Sequence, residues 1–232
     1  MIRKDGSMLT RQEDIHLLKE TLTFWNQLTH AQQSMLIESA ASGSYEKGTI
    51  LHSADYECIG TLIVKSGSLR VYILSEDGRE ITLYRINEGE VCVLSASCVL
   101  QSITFDVYID VVSDCDLIQL CSKAFASIIE GNVYAEAFTY RLTTERFSDV
   151  MWAMQQILFM SFDKRLAIFL LDEAASLHSD EIKLTHEQIA RLMGSAREVV
   201  TRMLKYFSSE GYVELSRGTV KITDKNRLKS LI

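Results

Sequence analysis

Between Leu184 and Phe207 the chain reads LTHEQIARLMGSAREVVTRMLKYF. Within it, Arg197 is followed by Glu198, Thr201, Arg202 and Lys205 at offsets of one, four, five and eight. On a helix these offsets put all five side chains on one side. The chemistry they could do together is recognition of base edges. A guanidinium can bond in a bidentate fork to guanine N7 and O6, and a carboxylate can accept from the cytosine amino group. Lys205 and the hydroxyls of Thr185 and Ser195 suit phosphate oxygens. Two plainer readings stand beside this one. Glu198 is placed to complete a capping box with Ser195, which needs no base. Arg197 and Arg202 would also be at home on a solvated helix face.

The elements that must position these residues can be read from their neighbours. Thr185 with Gln188 fits a capping box, and Ser195 with Glu198 fits a second, so two short helices are expected. Gly194 lies between them, where a tight turn needs positive φ or close packing. Ile189, Leu192 and Met193 then point inward from the first helix, and Val200, Met203, Leu204 and Phe207 from the second. Small Ala190 sits where the helices cross. This is a helix-turn-helix pattern. Downstream, Gly211–Leu215 and Thr219–Ile222 flank Ser216-Arg217-Gly218, which predicts a hairpin wing with Arg217 at its tip as a phosphate contact.

Charge follows the same division. The chain carries a net −7, which argues at first against a polyanionic partner. From Lys183 to Ile232, however, ten Lys or Arg stand against five Asp or Glu, while the remainder holds fourteen against twenty-six. A basic module on an acidic body is compatible with phosphate binding.

Upstream, residues Thr10 to Ala41 read as helical. The stretch Tyr45 to Cys121 reads as strands punctuated at Glu46-Lys47-Gly48, Lys65-Ser66-Gly67, Glu76-Asp77-Gly78 and Asn87-Glu88-Gly89. Asp77-Gly78 between β-type runs is a hairpin signal, and the whole suggests a sandwich or small barrel. From Val133 the positions Val133, Ala137, Tyr140, Thr144, Phe147, Met151, Met154 and Leu158 alternate four and three apart, an apolar heptad seam interrupted by Thr144. Such a helix packs either on its own β-domain or on a second copy. At about 1.5 Å per residue it spans roughly 40 Å and outreaches a domain of about 120 residues, which favours the second copy. A further apolar set, Val150, Trp152, Ile157 and Phe159, is placed to pack back on the barrel. Asp163 reads as the N-cap of the next helix, with Phe162 and Asp163 at the hinge.

Composition bounds the alternatives. Hydrophobic residues make up 47% and charged residues 24%, enough for real cores. No apolar run reaches bilayer length and the first residues lack a signal-peptide core, so a soluble cytoplasmic protein is expected, with no membrane partner. The five cysteines form no CxxC, and structural disulfides are not expected. Cys92 and Cys98, close in sequence, are the candidate redox pair of a thiol-sensing alternative. They sit in an apolar run, where thiols are usually inert. A cupin-type metal enzyme would need several inward His and carboxylate ligands, and the strand region offers only His52. No enzyme and no metal are expected, and haem has no specific signature.

On these residues the chain resembles the Crp/Fnr family of bacterial transcription regulators. The resemblance rests on Gly67-Ser68-Leu69-Arg70-Val71, on Asp77-Gly78-Arg79-Glu80-Ile81-Thr82-Leu83, and on Gly194-x-x-Arg197-Glu198-x-x-x-Arg202. It implies an α+β architecture: an effector-binding β-roll with N-terminal helices over residues 1–131, a dimerisation helix over 132–160 and a winged helix-turn-helix over 161–232. It also implies base readout by Arg197, Glu198 and Arg202, with Thr201 at a variable position. The implied partners are a second copy, double-stranded DNA with an inverted-repeat site, and RNA polymerase. The chain departs from the family in two places. The segment Gly89 to Ser102 carries a Gly-Glu pair but no following Arg-Ser or Arg-Thr, and no Arg lies between Arg85 and Arg141. The first cysteine is Cys58, not an N-terminal cluster. Neither cyclic AMP nor an iron–sulfur cluster is therefore supported, and the effector is unknown.

Overall fold

In the computed structural model, which describes residues 7–8, 12–52, 59–76, 78–93 and 107–232, the chain divides into two units. The first comprises Met1–Ile73 with Leu83–Val150, the second Leu74–Thr82 with Met151–Ile232.

In the first unit, β1 (Ser7–Met8), α1 (Gln12–Thr21) and α2 (His30–Ser39) lead into β2 (Ala40–Tyr45) and β3 (Ile50–His52). Then follow β4 (Thr61–Leu74), β5 (Glu80–Asn87), β6 (Val91–Cys92), β7 (Tyr108–Leu120) and α3 (Ser122–Gly131). The strands form one sheet in the order β1-β2-β7-β4-β5, with β3 on β7 and β6 on β4. Alternation along β4 and β7 feeds two cores. Leu62, Val64 and Leu117 join one cluster with Val71, Ile86 and Ile109, while Ile63, Ile118 and Leu120 face the helices with Phe24, Phe125 and Phe138. Successive side chains of a strand point to opposite faces, so a sheet covered on both sides shows an unbroken apolar run here. Arg70 is buried within this unit, its Nε donating to Asp110 Oδ1 at 3.0 Å and its guanidinium 4.1 Å from the Tyr72 ring.

One expected turn is not a turn. Lys65-Ser66-Gly67 lies inside β4, whose register against β7 slips between Val64 and Leu69. Gly67 has φ +81°, and a Cβ there would meet the Asp114 carbonyl oxygen at 2.2 Å. It marks a bulge where two backbones approach closely. The turns at Gly48, Gly78 and Gly89 fall between strands as read, all at positive φ, although Asp77 itself lies outside the described residues.

Helix α4 (Val133–Phe159) runs on from the first unit into the second. Ala135, Phe138 and Thr139 are buried, whereas all eight seam residues, Val133 to Leu158, are exposed on the isolated chain. Phe147 and Leu158 keep 63% and 64% of their surface in water. Thr144, the polar member, donates its hydroxyl to the Tyr140 carbonyl at 2.8 Å, so the stripe carries no unmet donor there. Of the second apolar set only Val150 packs on the strand cluster; Trp152, Ile157 and Phe159 are exposed.

The second unit contains α5 (Phe162–Ser176), β8 (Glu181–Ile182), α6 (His186–Leu192), α7 (Arg197–Ser209), β9 (Val213–Ser216), β10 (Thr219–Ile222) and α8 (Lys225–Lys229). Its three-stranded sheet runs β8-β10-β9. Leu166, Leu170, Ile189, Val200, Leu204, Phe207 and Val220 share one core. The break between α4 and α5 is at Met160 and Ser161. Ser161, not Asp163, is the N-cap position; Asp163 sits in the first turn, its carboxyl held below its ordinary range first by the Ser161 hydroxyl. Phe162 packs on the core of this unit.

Candidate nucleic-acid interface

The helix-turn-helix is built by caps and one glycine. Thr185 caps α6 with a reciprocal box: its Oγ1 accepts from Gln188 N at 3.2 Å, and its backbone N–H donates to Gln188 Oε1 at 2.8 Å. The helix ends at Met193, and Gly194 turns the chain at φ +61°. Within this unit a Cβ on Gly194 would also meet the Glu80 carbonyl oxygen at 2.9 Å, so both backbone and space select glycine. The hairpin segment of the unit holds α6 from this side: Arg191 Nε donates to Glu80 Oε1 at 2.6 Å, and the Thr82 hydroxyl to the Leu192 carbonyl at 3.1 Å. From α5, Arg165 Nη2 donates to the Met193 carbonyl at 2.9 Å, satisfying one carbonyl that the helix end leaves open.

The second cap differs from its expected form. Ala196 is the N-cap of α7 and makes no side-chain cap, while Ser195 lies one residue earlier with its N–H on the Ala190 carbonyl. Glu198 is therefore not a capping-box member, and the plainer reading of that residue falls. Its carboxylate instead stands in the first turn, where the helix dipole favours a negative charge.

Val200, Leu204 and Phe207 fix the rotation of α7 by burying its inner face. Arg197, Glu198, Thr201, Arg202 and Lys205 then line a common depression on the opposite side. Glu198, Arg202 and Lys205 are exposed. Among the described residues none of these three side chains makes a hydrogen bond or an ion pair within 4.0 Å, and the Arg197 guanidinium lies 3.9 Å from Glu187 Oε2 with both side chains largely in water. Such an exposed pair holds either partner weakly. The arrangement can present two forked donors, one acceptor and one ammonium to a polar surface.

The remaining phosphate candidates fare differently. Arg217 is exposed in the two-residue turn between Ser216 and Thr219, which pair across the wing. Ser195 is partly buried beside α7. The Thr185 hydroxyl lies 3.1 Å from Gln188 Oε1, the acceptor that takes its proton, so its role in the fold is the cap. Sequence reasoning missed His186. Its Nδ1 lies 3.0 Å from Thr201 Oγ1, and burial, then Arg197 and Lys205, push its pKa down.

In the first unit Cys92 is buried in the strand core; Cys98 lies outside the described residues, as does the segment 94–106 that holds Ser95, Ser97 and Ser102. Burial pushes the nearby core thiol of Cys115 up to about 12, which keeps it protonated and unreactive. Among the described residues no three His, Cys, Asp or Glu side chains gather as a metal site, and no helix is long and apolar enough to cross a membrane.

Residues 164–231 match the Crp-like helix-turn-helix domain, and residues 43–132 match the cyclic nucleotide-binding domain. The chain is 45% identical to a candidate transcriptional regulator of the Crp/Fnr family from Eubacterium rectale, whose crystal structure superposes with a TM-score of 0.89 over 92% of this chain and 99% of that one. It is 24% identical over 182 residues to the cAMP-activated global transcriptional regulator CRP of Pasteurella multocida, covering 76% of this chain and 86% of that protein. It is 25% identical over 177 residues to the transcriptional regulator SdrP of Thermus thermophilus, covering 72% and 81%. With an effector-type β-domain, a long helix and a helix-turn-helix that match in order, this chain belongs to the Crp/Fnr family of transcriptional regulators.

Proposed function

We propose that the chain acts as a homodimer that reads an inverted-repeat DNA site. Residues 132–160 serve as the dimerisation helix, and Phe162 and Asp163 flank the hinge to the DNA-binding part. Arg197, Glu198, Thr201 and Arg202 read base edges; Ser195, Lys205 and Arg217 hold phosphates, with Thr185 supporting them as a cap. The single observation that carries this reading is the face of α7, where Glu198, Arg202 and Lys205 stand together, exposed and unpaired. A two-fold dimer presents two such faces about 34 Å apart, or a multiple of that, which is why the site should be an inverted repeat. The chain works in the cytoplasm as a regulator rather than an enzyme, with RNA polymerase as its further partner. In vitro selection from random duplexes with the full chain tests this: the selected sequences should show two symmetric half-sites. Selection of a single asymmetric site would contradict it.

The effector reading rests on electrostatics. A buried cyclic phosphate needs a cation or several donors, since leaving it desolvated costs several kcal/mol. The sequence from Val91 to Phe105 supplies serines but no Arg or Lys. The match to a cyclic nucleotide-binding domain thus gives the frame of the sensor, and the missing cation argues for another, less charged effector. Calorimetry with cyclic AMP and cyclic GMP should show no binding at micromolar concentrations. Micromolar affinity for either would overturn this reading.

A further inference from the structure

The imidazole of His186 links the two helices of the DNA-reading element through one hydrogen bond. It is the first residue of α6, directly after the Thr185 cap, and it reaches Thr201 in the middle of α7. Arg197, Thr201 and Lys205 follow each other at four-residue steps, so they stack in one column on α7. The ring therefore abuts a hydroxyl with a cation on either side of it along the helix. The charged groups that bear on it are these two from α7; on its own helix Glu187 follows it and faces Arg197. Arg217 is the charge of the wing turn, whose Gly218 neighbours Thr185.

We propose that His186 is a proton-linked positioning residue of the DNA-reading face: on binding DNA it takes up a proton and turns the Thr201 hydroxyl hydrogen outward to the duplex. This rests on the reading of α7 as the recognition helix. The hydrogen-bond inventory of the two side chains gives the mechanism. A neutral imidazole has one acceptor nitrogen; in the Nε2–H tautomer that nitrogen is Nδ1, which accepts the Thr201 O–H. An imidazolium donates from both nitrogens. Nδ1–H then donates to Thr201 Oγ1, and the hydroxyl proton must find an acceptor elsewhere. On this face the acceptors are purine N7, guanine O6, thymine O4 or a phosphate oxygen.

The direction of the linkage follows from charge. In the free protein, burial and the flanking Arg197 and Lys205 disfavour the imidazolium. DNA brings one negative charge per about 1.7 Å of helix axis to the same face. Opposite charge nearby favours the protonated ring, so the bound state holds the proton to higher pH than the free state. Affinity must then rise as pH falls through the window between the two titrations, and be independent of this group above it. The ceiling is one proton per protomer, about tenfold in affinity per pH unit for each histidine.

The test uses the full-length protein and a duplex selected in vitro by the wild-type chain, with anisotropy measured from pH 5.8 to 8.2 at fixed ionic strength. Wild-type affinity should rise at least about threefold per pH unit on acidification within that range, a partial uptake below the one-proton ceiling. His186→Gln keeps a polar group toward Thr201 and cannot titrate; whatever its affinity at pH 8, its profile should stay flat within about twofold on acidification. His178→Gln, at the end of α5, should keep the wild-type slope. Thr201→Val should keep the slope and lose discrimination at one symmetric base pair. A flat wild-type profile, or a His186→Gln profile as steep as wild type, overturns the inference. If Arg202→Ala leaves binding to the selected duplex unchanged, it is instead the readout assignment of α7 that fails.

Discussion

Two helices of this chain leave a continuous face in water, and the two faces have opposite chemistry. On α4 the stripe from Val133 to Leu158 is largely apolar, with the Thr144 hydroxyl bonded back to its own backbone. On α7 the stripe from Arg197 to Lys205 is charged and largely unpaired. An apolar stripe about 40 Å long gains by meeting another apolar surface, at roughly 25 cal/mol per Å² buried and with little regard to salt. A charged stripe gains little by packing and much by meeting a polyanion, with a steep salt dependence. The difference is what supports the proposed partners: a second copy for α4, a nucleic acid for α7.

The largest expected effect comes from putting the chemistry of one face onto the other. Phe147→Glu together with Met151→Glu would bury four carboxylates in a dimer, each desolvated at a cost of several kcal/mol without a partner. Sedimentation velocity should show monomers, and binding to a full inverted repeat should fall by more than about a hundredfold, to the level of a single half-site. An intact dimer would mean that the seam is assigned to the wrong partner. Adding salt separates the faces further: dimer affinity should change little between roughly 50 and 200 mM, a range that screens exposed charge but not apolar burial, while DNA affinity falls steeply.

Smaller effects sharpen the account of α7 itself. Thr185→Ala removes the α6 cap and should cost about 1 kcal/mol of stability, read as a shift in denaturant midpoint. It should leave the salt slope of DNA binding unchanged, because the hydroxyl belongs to Gln188. A loss of one phosphate contact in the salt slope would return Thr185 to the interface. Lys205→Ala is the mildest: all duplex sequences should weaken alike, with the slope reduced by about 1 per protomer.

Much of this was legible in the chain, and the exceptions have physical reasons. Thr185 with Gln188 and Gly194 gave the helix-turn-helix because a reciprocal cap and a positive-φ turn are local demands. The four-three spacing gave the α4 stripe for the same reason. Gly67 misled because a bulge and a turn both ask for positive φ; only the partner strand at Asp114 separates them. Ser195 misled by one residue because the Ala190 carbonyl takes its N–H, leaving Ala196 at the helix start without a side-chain cap. Trp152 and Phe159 look like core by type, yet both stand exposed, because residue type alone does not say which surface covers a helix face. His186 was invisible because its partner Thr201 is fifteen residues away and meets it only once the turn is made.

The most direct test of the central claim is base-resolved. Wild-type protein and Arg202→Ala should be compared by in vitro selection and by affinity for every single base-pair change in the selected site. The account predicts a G·C pair at symmetric positions of both half-sites. Arg202→Ala should lose about 1–3 kcal/mol on that site and its preference at that pair alone. An equal loss on all sequences, with the preference intact, would make Arg202 a phosphate contact and contradict base readout by this face of α7.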